Sequence, residues 1–156
     1  MRTLKSLYAE FSVLATVRNA GAKPPSEDEV ARAGSSLGFP IPKDFIDFQS
    51  LFYDRQPPFW DVLRVQPAGA PTVSYDIVDY NLELRKLYPG ELDRCLLFRN
   101  IGTGDYDCFV FSTTGTLLGI GFWEHDLDER TEYSPSVLYE DWLEWFESEM
   151  ELLRDG

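Results

Sequence analysis

The stretch CLLFRNIGTGDYDCFVFSTTGTLLGIGFW, from Cys95 to Trp123, decides the fold. Apolar runs at 95–101, 108–112 and 117–123 have the length and the aromatic and β-branched content of buried strands. Thr113-Thr114-Gly115-Thr116 between the last two runs is typical of a hairpin turn. The sequence therefore predicts three strands, the last two of them joined by a hairpin-like turn.

Helical patterns lie on both sides of this stretch. Apolar residues at helical spacing predict a first helix from about Arg2 to Val17. Ser26-Glu27-Asp28-Glu29 is a capping box, and the helix that it opens should end at Gly38. Further patterns predict a helix over Phe45–Phe52, a strand over Phe59–Val65, a helix over Tyr75–Tyr88 and an amphipathic C-terminal helix from Tyr139 to Leu153.

These elements predict one α+β domain over residues 1–156. Helices bracket a run of strands without strict alternation, which favours a mostly antiparallel, curved sheet wrapped by helices. The chain has 156 residues, 44% of them hydrophobic, which is enough for a single buried core. No apolar run approaches the ~20 residues that span a bilayer. Cys95 and Cys108 form no disulfide framework, so we expect free buried thiols and a cytoplasmic location.

The charge of the chain is concentrated near its C-terminus. Of 27 acidic residues, 14 lie from Asp105 onward with only two of the 14 basic residues, so this segment carries −12 of the net −13. A local charge of one sign attracts partners of the other sign. Nucleic acid and anionic membranes are therefore poor partners, and a basic protein is a good one.

Two acidic elements and one turn supply the candidate contacts. The C-terminal helix should carry Glu140, Glu144, Glu147 and Glu151 on its outer face, where like charges at these spacings repel. This face could also serve solubility alone. An acidic loop follows the strand ending at Trp123, and a glycine-rich turn precedes another strand. The predicted contact residues are Asp105, Asp107, Glu124, Asp126, Asp128, Glu129, Glu140, Glu144 and Glu147.

Catalytic and metal-binding interpretations have less support. Asp105, Asp107 and His125 could form a small metal-dependent hydrolytic site, but a turn stabilised by Asp105 and a structural His125 at a strand end are favoured. The histidine and the two separated cysteines lack zinc-site spacing, and the loop lacks the EF-hand pattern, so no metal or other cofactor is expected. Trp60 and Trp123 are expected in the core; either could anchor an interface if exposed.

The order of these motifs resembles the SUKH superfamily, the domains related to the yeast cell-wall assembly regulator. Ser26-Glu27-x-x-Val30 leads into Leu37-Gly38-x-x-Ile41-Pro42-x-Asp44-Phe45-x-x-Phe48. Gly102-Thr-Gly104-Asp105-Tyr106-Asp107-Cys-Phe109 and Phe122-Trp123-Glu124-His125-Asp126 are similar to two further family motifs, and Trp142-Leu143 to its closing helix. The resemblance covers about residues 26–146. The chain departs from the pattern at Tyr53–Pro58, where the family usually has an Asn-Gly-Gly-like turn.

The resemblance implies an α+β fold and, for most bacterial members, a cytoplasmic immunity protein. Such a protein binds one cognate toxin domain, often a nuclease, and the resemblance brings no catalytic residues with it. The leading hypothesis is therefore a non-enzymatic protein that neutralises a toxin through its acidic surface. The alternatives are a regulatory scaffold without a toxin partner and the small hydrolase described above.

Overall fold

The structure, a computed structural model, describes residues 2–17, 23–56, 61–67, 76–125 and 135–156. Five strands form one antiparallel sheet in the order β3-β4-β5-β6-β7, and β1 pairs separately with β2. This arrangement confirms the predicted single α+β domain. The elements within the described ranges are α1 (Leu4–Leu14), β1 (Thr16–Val17), α2 (Glu27–Leu37), α3 (Lys43–Leu51), β2 (Arg55–Gln56), β3 (Asp61–Val62), α4 (Ile77–Leu87), β4 (Cys95–Asn100), β5 (Tyr106–Phe111), β6 (Leu117–Trp123), β7 (Val137–Tyr139) and α5 (Trp142–Asp155).

The central strands β4, β5 and β6 pair as the sequence predicts. Both connections are antiparallel, and all six residues of β5 are buried. The predicted turn closes the β5–β6 hairpin, because the N–H of Ser112 donates to the carbonyl of Thr116 at 2.8 Å and Gly115 has a φ of 83°. This left-handed backbone is one that glycine adopts without steric cost.

The ends of α2 follow local sequence signals, whereas the C-terminal end of α1 is set by strand pairing. Ser26 and Glu29 form the predicted capping box at 3.2 Å in each direction, and Gly38 ends α2 with a φ of 91°. The first helix is shorter than predicted. It ends at Leu14, because Thr16 and Val17 leave helical geometry to pair with Gln56 and Arg55.

Strand β7 was not predicted from the sequence. It lies beside β6, with Val137 opposite Gly121 and Tyr139 opposite Ile120. A methyl group at Gly121 would lie 2.5 Å from the carbonyl oxygen of Ser136, so a side chain here would push β7 away. The predicted loop that precedes β7 falls mostly outside the described residues, which omit 126–134.

Helices cover both faces of the sheet. On one face α5 buries Trp142, Trp145 and Phe146, and the ring of Trp145 lies 5.0 Å from that of Phe98. On the other face Tyr88, which follows α4, packs edge-on against Trp123 at 4.8 Å. Burial on both sides explains why the central strands are almost continuously apolar.

Two buried amide side chains bond to backbone groups that none of the described strands pairs. Strand β3 pairs with β4 at Arg99 and Asn100, and the N–H of Leu63, the next residue, donates to the carbonyl of Phe98 at 2.8 Å. Beyond that point Asn81 of α4 accepts from the N–H of Leu97 at 2.8 Å and donates to its carbonyl at 2.9 Å. Gln49 bonds in the same two-point manner to Val65, at 3.2 and 2.9 Å. These amides satisfy buried backbone groups that would otherwise be unpaired.

A candidate acidic binding surface

Helix α5 positions the acidic residues nearest the C-terminus. Asp141 caps the helix by accepting from the N–H of Glu144 at 2.9 Å, and Glu144 in turn accepts from the N–H of Glu140 at 2.7 Å. The apolar stripe then faces the sheet, so that Glu140, Glu144 and Glu151 are exposed and Glu147 is half-buried. The predicted outward face is therefore confirmed for Glu144 and Glu151, whereas Glu140 precedes the helix, which begins at Trp142 and not at the predicted Tyr139, because Tyr139 pairs in β7.

Bases of the described ranges do not neutralise this face. Within the described ranges, no Lys or Arg forms an ion pair with Glu140, Glu144, Glu147 or Glu151. Arg154, the one basic residue of α5, pairs with Glu10 of α1. Like charges at helical spacing repel, so a bound cationic surface would relieve a repulsion that the free protein carries.

Asp105 and His125 form a structural pair beside the glycine-rich turn. Asp105 Oδ1 accepts from the backbone N–H of His125 at 3.0 Å and lies 2.8 Å from its Nδ1, while Thr103 donates to Oδ2 at 2.8 Å. Burial raises the pKa of Asp105, but these hydrogen bonds outweigh it and hold the pKa below its usual value. The predicted roles of Asp105 in the turn and of His125 at the strand end are confirmed.

The close approach of this histidine depends on Gly104. Its φ is 91°, and a methyl group there would lie 2.8 Å from His125 Cε1. Glycine therefore supplies both the backbone conformation and the space for the ring. The pair fixes the start of the acidic loop and keeps the Asp105 carboxylate only partly exposed.

The prediction that Asp107 belongs to the partner-binding surface is wrong. Asp107 is only 7% exposed, and its Oδ2 accepts from Arg99 Nε at 2.6 Å. Arg99 Nη1 donates to Glu149 of α5, also at 2.6 Å, and the guanidinium lies 5.0 Å from the centre of the Trp145 ring. One cation thus joins two carboxylates between sheet and helix, an internal role for Asp107.

Sequence reasoning missed Arg99 and Glu149, although one signal was present. Glu149 lies seven residues after Trp142 and three after Phe146, so it falls on the apolar stripe of α5. A carboxylate at such a position needs a buried partner. The matching signal is Arg99, a single charge within the apolar run of β4.

The buried network has a pH dependence that can be measured. Burial raises the pKa of Asp107 to about 6; Arg99 opposes this rise and Glu149 adds to it. The pKa lies above the usual value of 3.8, so the native state binds more protons than the unfolded chain between these values. We expect stability relative to an Asp107→Asn variant to rise as the pH falls from 7 to 5, and the Asp107 carboxyl to titrate near pH 6 by NMR. A midpoint at or below 4 would contradict this.

The other predicted residues are exposed, buried or outside the described ranges. Glu124 is exposed directly after β6. Asp126, Asp128 and Glu129 lie outside the described residues, as does Trp60. Trp123 is fully buried and donates from Nε1 to Glu91 at 3.3 Å, so it belongs to the core as predicted. It therefore offers no aromatic anchor to a partner.

The described residues contain no group of three His, Cys, Asp or Glu side chains arranged to hold a metal ion. Asp105 and Asp107 also belong to separate networks, one with His125 and one with Arg99. The three residues of the hydrolase hypothesis therefore do not form one site. Cys95 and Cys108 are free and buried, as expected.

Neither the hydrophobicity of the described helices nor the comparisons with known proteins assign a function to this surface. Among the helices that the structure describes, none combines the length and the apolar character needed to cross a bilayer. Neither the protein-family models nor the curated proteins compared with this chain give a match.

Proposed function

We propose that this chain is a non-enzymatic binding protein, a cytoplasmic immunity protein that neutralises a cognate toxin by covering its basic surface. The observation that carries the proposal is the acidic surface of α5 and of Glu140 just before it; Glu140, Glu144 and Glu151 are exposed, Glu147 is half-buried, and none of the four pairs with a base among the described residues. Glu124 and the half-buried Asp105 add charge at the end of the sheet where β6 terminates.

The electrostatics of this face favour a protein over other partners. Complementary charge raises the rate of association and makes it depend on salt. If the toxin is a nuclease, carboxylates would take the places of substrate phosphates in its basic site. The motif order that resembles the SUKH superfamily supports the same class of function, and free buried cysteines fit a reducing compartment.

The proposal is tested by co-expressing the chain with the product of its neighbouring gene and measuring their affinity at several salt concentrations. We expect a one-to-one complex that weakens steeply with salt. Changing Glu140, Glu144 and Glu147 together to Gln should weaken it about tenfold, since three exposed ion pairs at ~0.5 kcal/mol each amount to one factor of ten. Glutamine at 144 can still accept from the N–H of Glu140, so the helix cap is retained.

A matched control removes three exposed charges elsewhere. Asp28→Asn, Glu83→Gln and Asp93→Asn change the net charge equally but lie on α2, on α4 and in the turn before β4. This control should keep the affinity and most of the salt dependence. Equal effects of both triple variants would refute a specific role for α5, and the absence of a complex at low salt would favour the scaffold alternative.

A further inference from the structure

A buried ion network lies on the inner side of the helix that carries the acidic face. Arg99 donates to Asp107 of β5 and to Glu149 of α5, each at 2.6 Å. Two carboxylates share one cation, so the fully ionised network has a net negative charge. The side chains of all three residues are at most 12% exposed, so salt screens this charge much less than a surface charge.

Helical geometry places this network behind the exposed acids. Successive residues of an α-helix are about 100° apart around the helix axis. Glu149 therefore lies about 160° from both Glu147 and Glu151, on the opposite side of α5. Since a helix with its side chains is about 10–12 Å across, a cation bound at Glu147 or Glu151 lies roughly one helix diameter from the network.

The groups that face Asp107 come from three elements. Arg99 of β4 donates to the Asp107 carboxylate, and α5 contributes Glu149 and the ring of Trp145, whose centre lies 5.0 Å from the guanidinium. The residue opposite Asp107 on β6 is Phe122. Arg99 favours the ionised form of Asp107 and Glu149 opposes it. When Asp107 binds a proton, Arg99 and Glu149 remain as a neutral pair.

We propose that this network makes partner binding at α5 sensitive to pH, with ionised Asp107 as the state that binds more tightly. The inference rests on the function proposed above and adds a form of regulation to it. A cationic partner interacts more favourably with a negative network than with a neutral one. By linkage, the partner favours loss of the proton from Asp107, and protonation of Asp107 weakens partner binding by the same factor.

The direction and the pH range follow from the titration of Asp107. Burial raises its pKa to about 6 in the free protein, so the network is mostly ionised at pH 7.5 and mostly neutral at pH 5.5. One unit charge about 10 Å away, at an effective dielectric constant between those of a protein surface and bulk water, changes the equilibrium about threefold. The affinity should therefore fall by about this factor as the pH is lowered through the titration of Asp107.

The test uses octalysine as the probe for a basic partner and the whole chain as its target. The Asp107 carboxyl is titrated by NMR with and without saturating octalysine at low salt. We expect the probe to shift the signals of α5 and to lower the titration midpoint of Asp107 by about 0.5, which corresponds to a threefold change in proton affinity.

A variant supplies the second measurement. Asp107→Asn resembles the protonated network, so its affinity for octalysine should fall about threefold less than that of the wild type between pH 7.5 and 5.5. The only histidine of the chain is present in both proteins, so its titration contributes equally. Asp93→Asn is the matched control; it removes one exposed carboxylate in the turn before β4 and should keep the wild-type pH profile.

The outcomes separate this inference from the proposed function. A probe that shifts the signals of α5 but leaves the Asp107 midpoint unchanged would overturn the coupling, while the acidic surface would stand. Identical pH profiles of the wild type and Asp107→Asn would overturn the coupling as well. A probe that leaves α5 unperturbed at low salt would count against the acidic surface and the coupling together.

Discussion

Replacing Arg99 by methionine is expected to lower the free energy of unfolding by about 3–5 kcal/mol at pH 8. The side chains of Asp107 and Glu149 are only 10% and 12% exposed, and Arg99 is the cation that bonds to both. Without it two carboxylates remain buried between β5 and α5. They must then stay charged without a counter-ion or bind protons at a pH where the unfolded chain does not.

The loss of stability in Arg99→Met should depend on pH, and it should exceed the loss from removing a more exposed arginine. Because Asp107 has a pKa of about 6, the effect at pH 5 should be smaller than at pH 8, where the carboxylate is ionised. Arg154→Met is the matched control; its pair with Glu10 is more exposed and should contribute no more than about 1 kcal/mol. Urea unfolding at both pH values measures these differences.

A triple variant separates the loss of the cation from the loss of packing. Arg99→Met, Asp107→Leu and Glu149→Met together remove all three charges, and most of the lost stability should return. If Arg99→Met alone cost less than 1 kcal/mol at pH 8, the network would not join α5 to the sheet as described.

Replacing Asn81 by leucine is expected to cost about 2–4 kcal/mol. Leucine is similar in size but leaves the buried N–H and carbonyl of Leu97 without the partners that Asn81 provides at 2.8 and 2.9 Å. An unpaired buried backbone group costs about 1–3 kcal/mol, and two groups lose their bonds here. Thermal or urea unfolding gives the total change.

Hydrogen exchange tests the mechanism directly. The amide of Leu97 should lose protection in the Asn81→Leu variant, while the amides of β5 exchange at a rate set by global stability. Lys86→Leu on the exposed side of α4 is the control and should change stability by no more than about 0.5 kcal/mol. A Leu97 amide that stays fully protected would show that Asn81 is not its partner.

Local chemistry made much of the fold predictable. The capping box at Ser26, the left-handed end of α2 at Gly38 and the hairpin turn at Gly115 depend on residues close together in the sequence, and all three were predicted. The acidic face of α5 follows from helical spacing alone. Asp105 was predicted as a turn residue, as well as a partner contact, from the glycines around it, and His125 as structural because one histidine and two separated cysteines lack zinc-site spacing.

Long-range contacts account for the failures. The sequence placed Asp107 in the glycine-rich turn before a strand beginning at Cys108, yet β5 begins at Tyr106 and Asp107 is buried on it. The register shifts between Leu97 and Arg99, and Phe98 and Arg99 both reach Trp145 of α5. A bulge breaks the alternation of side chains that sequence reasoning uses. The shift on β4 leaves Arg99 opposite Asp107, so that one cation reaches both Asp107 of β5 and Glu149 of α5.

The sequence by itself determined the α+β class, the central antiparallel strands, the main helices and the concentration of negative charge toward the C-terminus, because these depend on composition and short-range periodicity. Only the tertiary structure decided which acids face solvent, that Arg99 holds Asp107 and Glu149 inside, and that β7 lies close against Gly119 and Gly121. The reason is that burial of a charge and close approach of two strands depend on residues far apart in the chain. Such contacts contribute to stability only when the chain is folded.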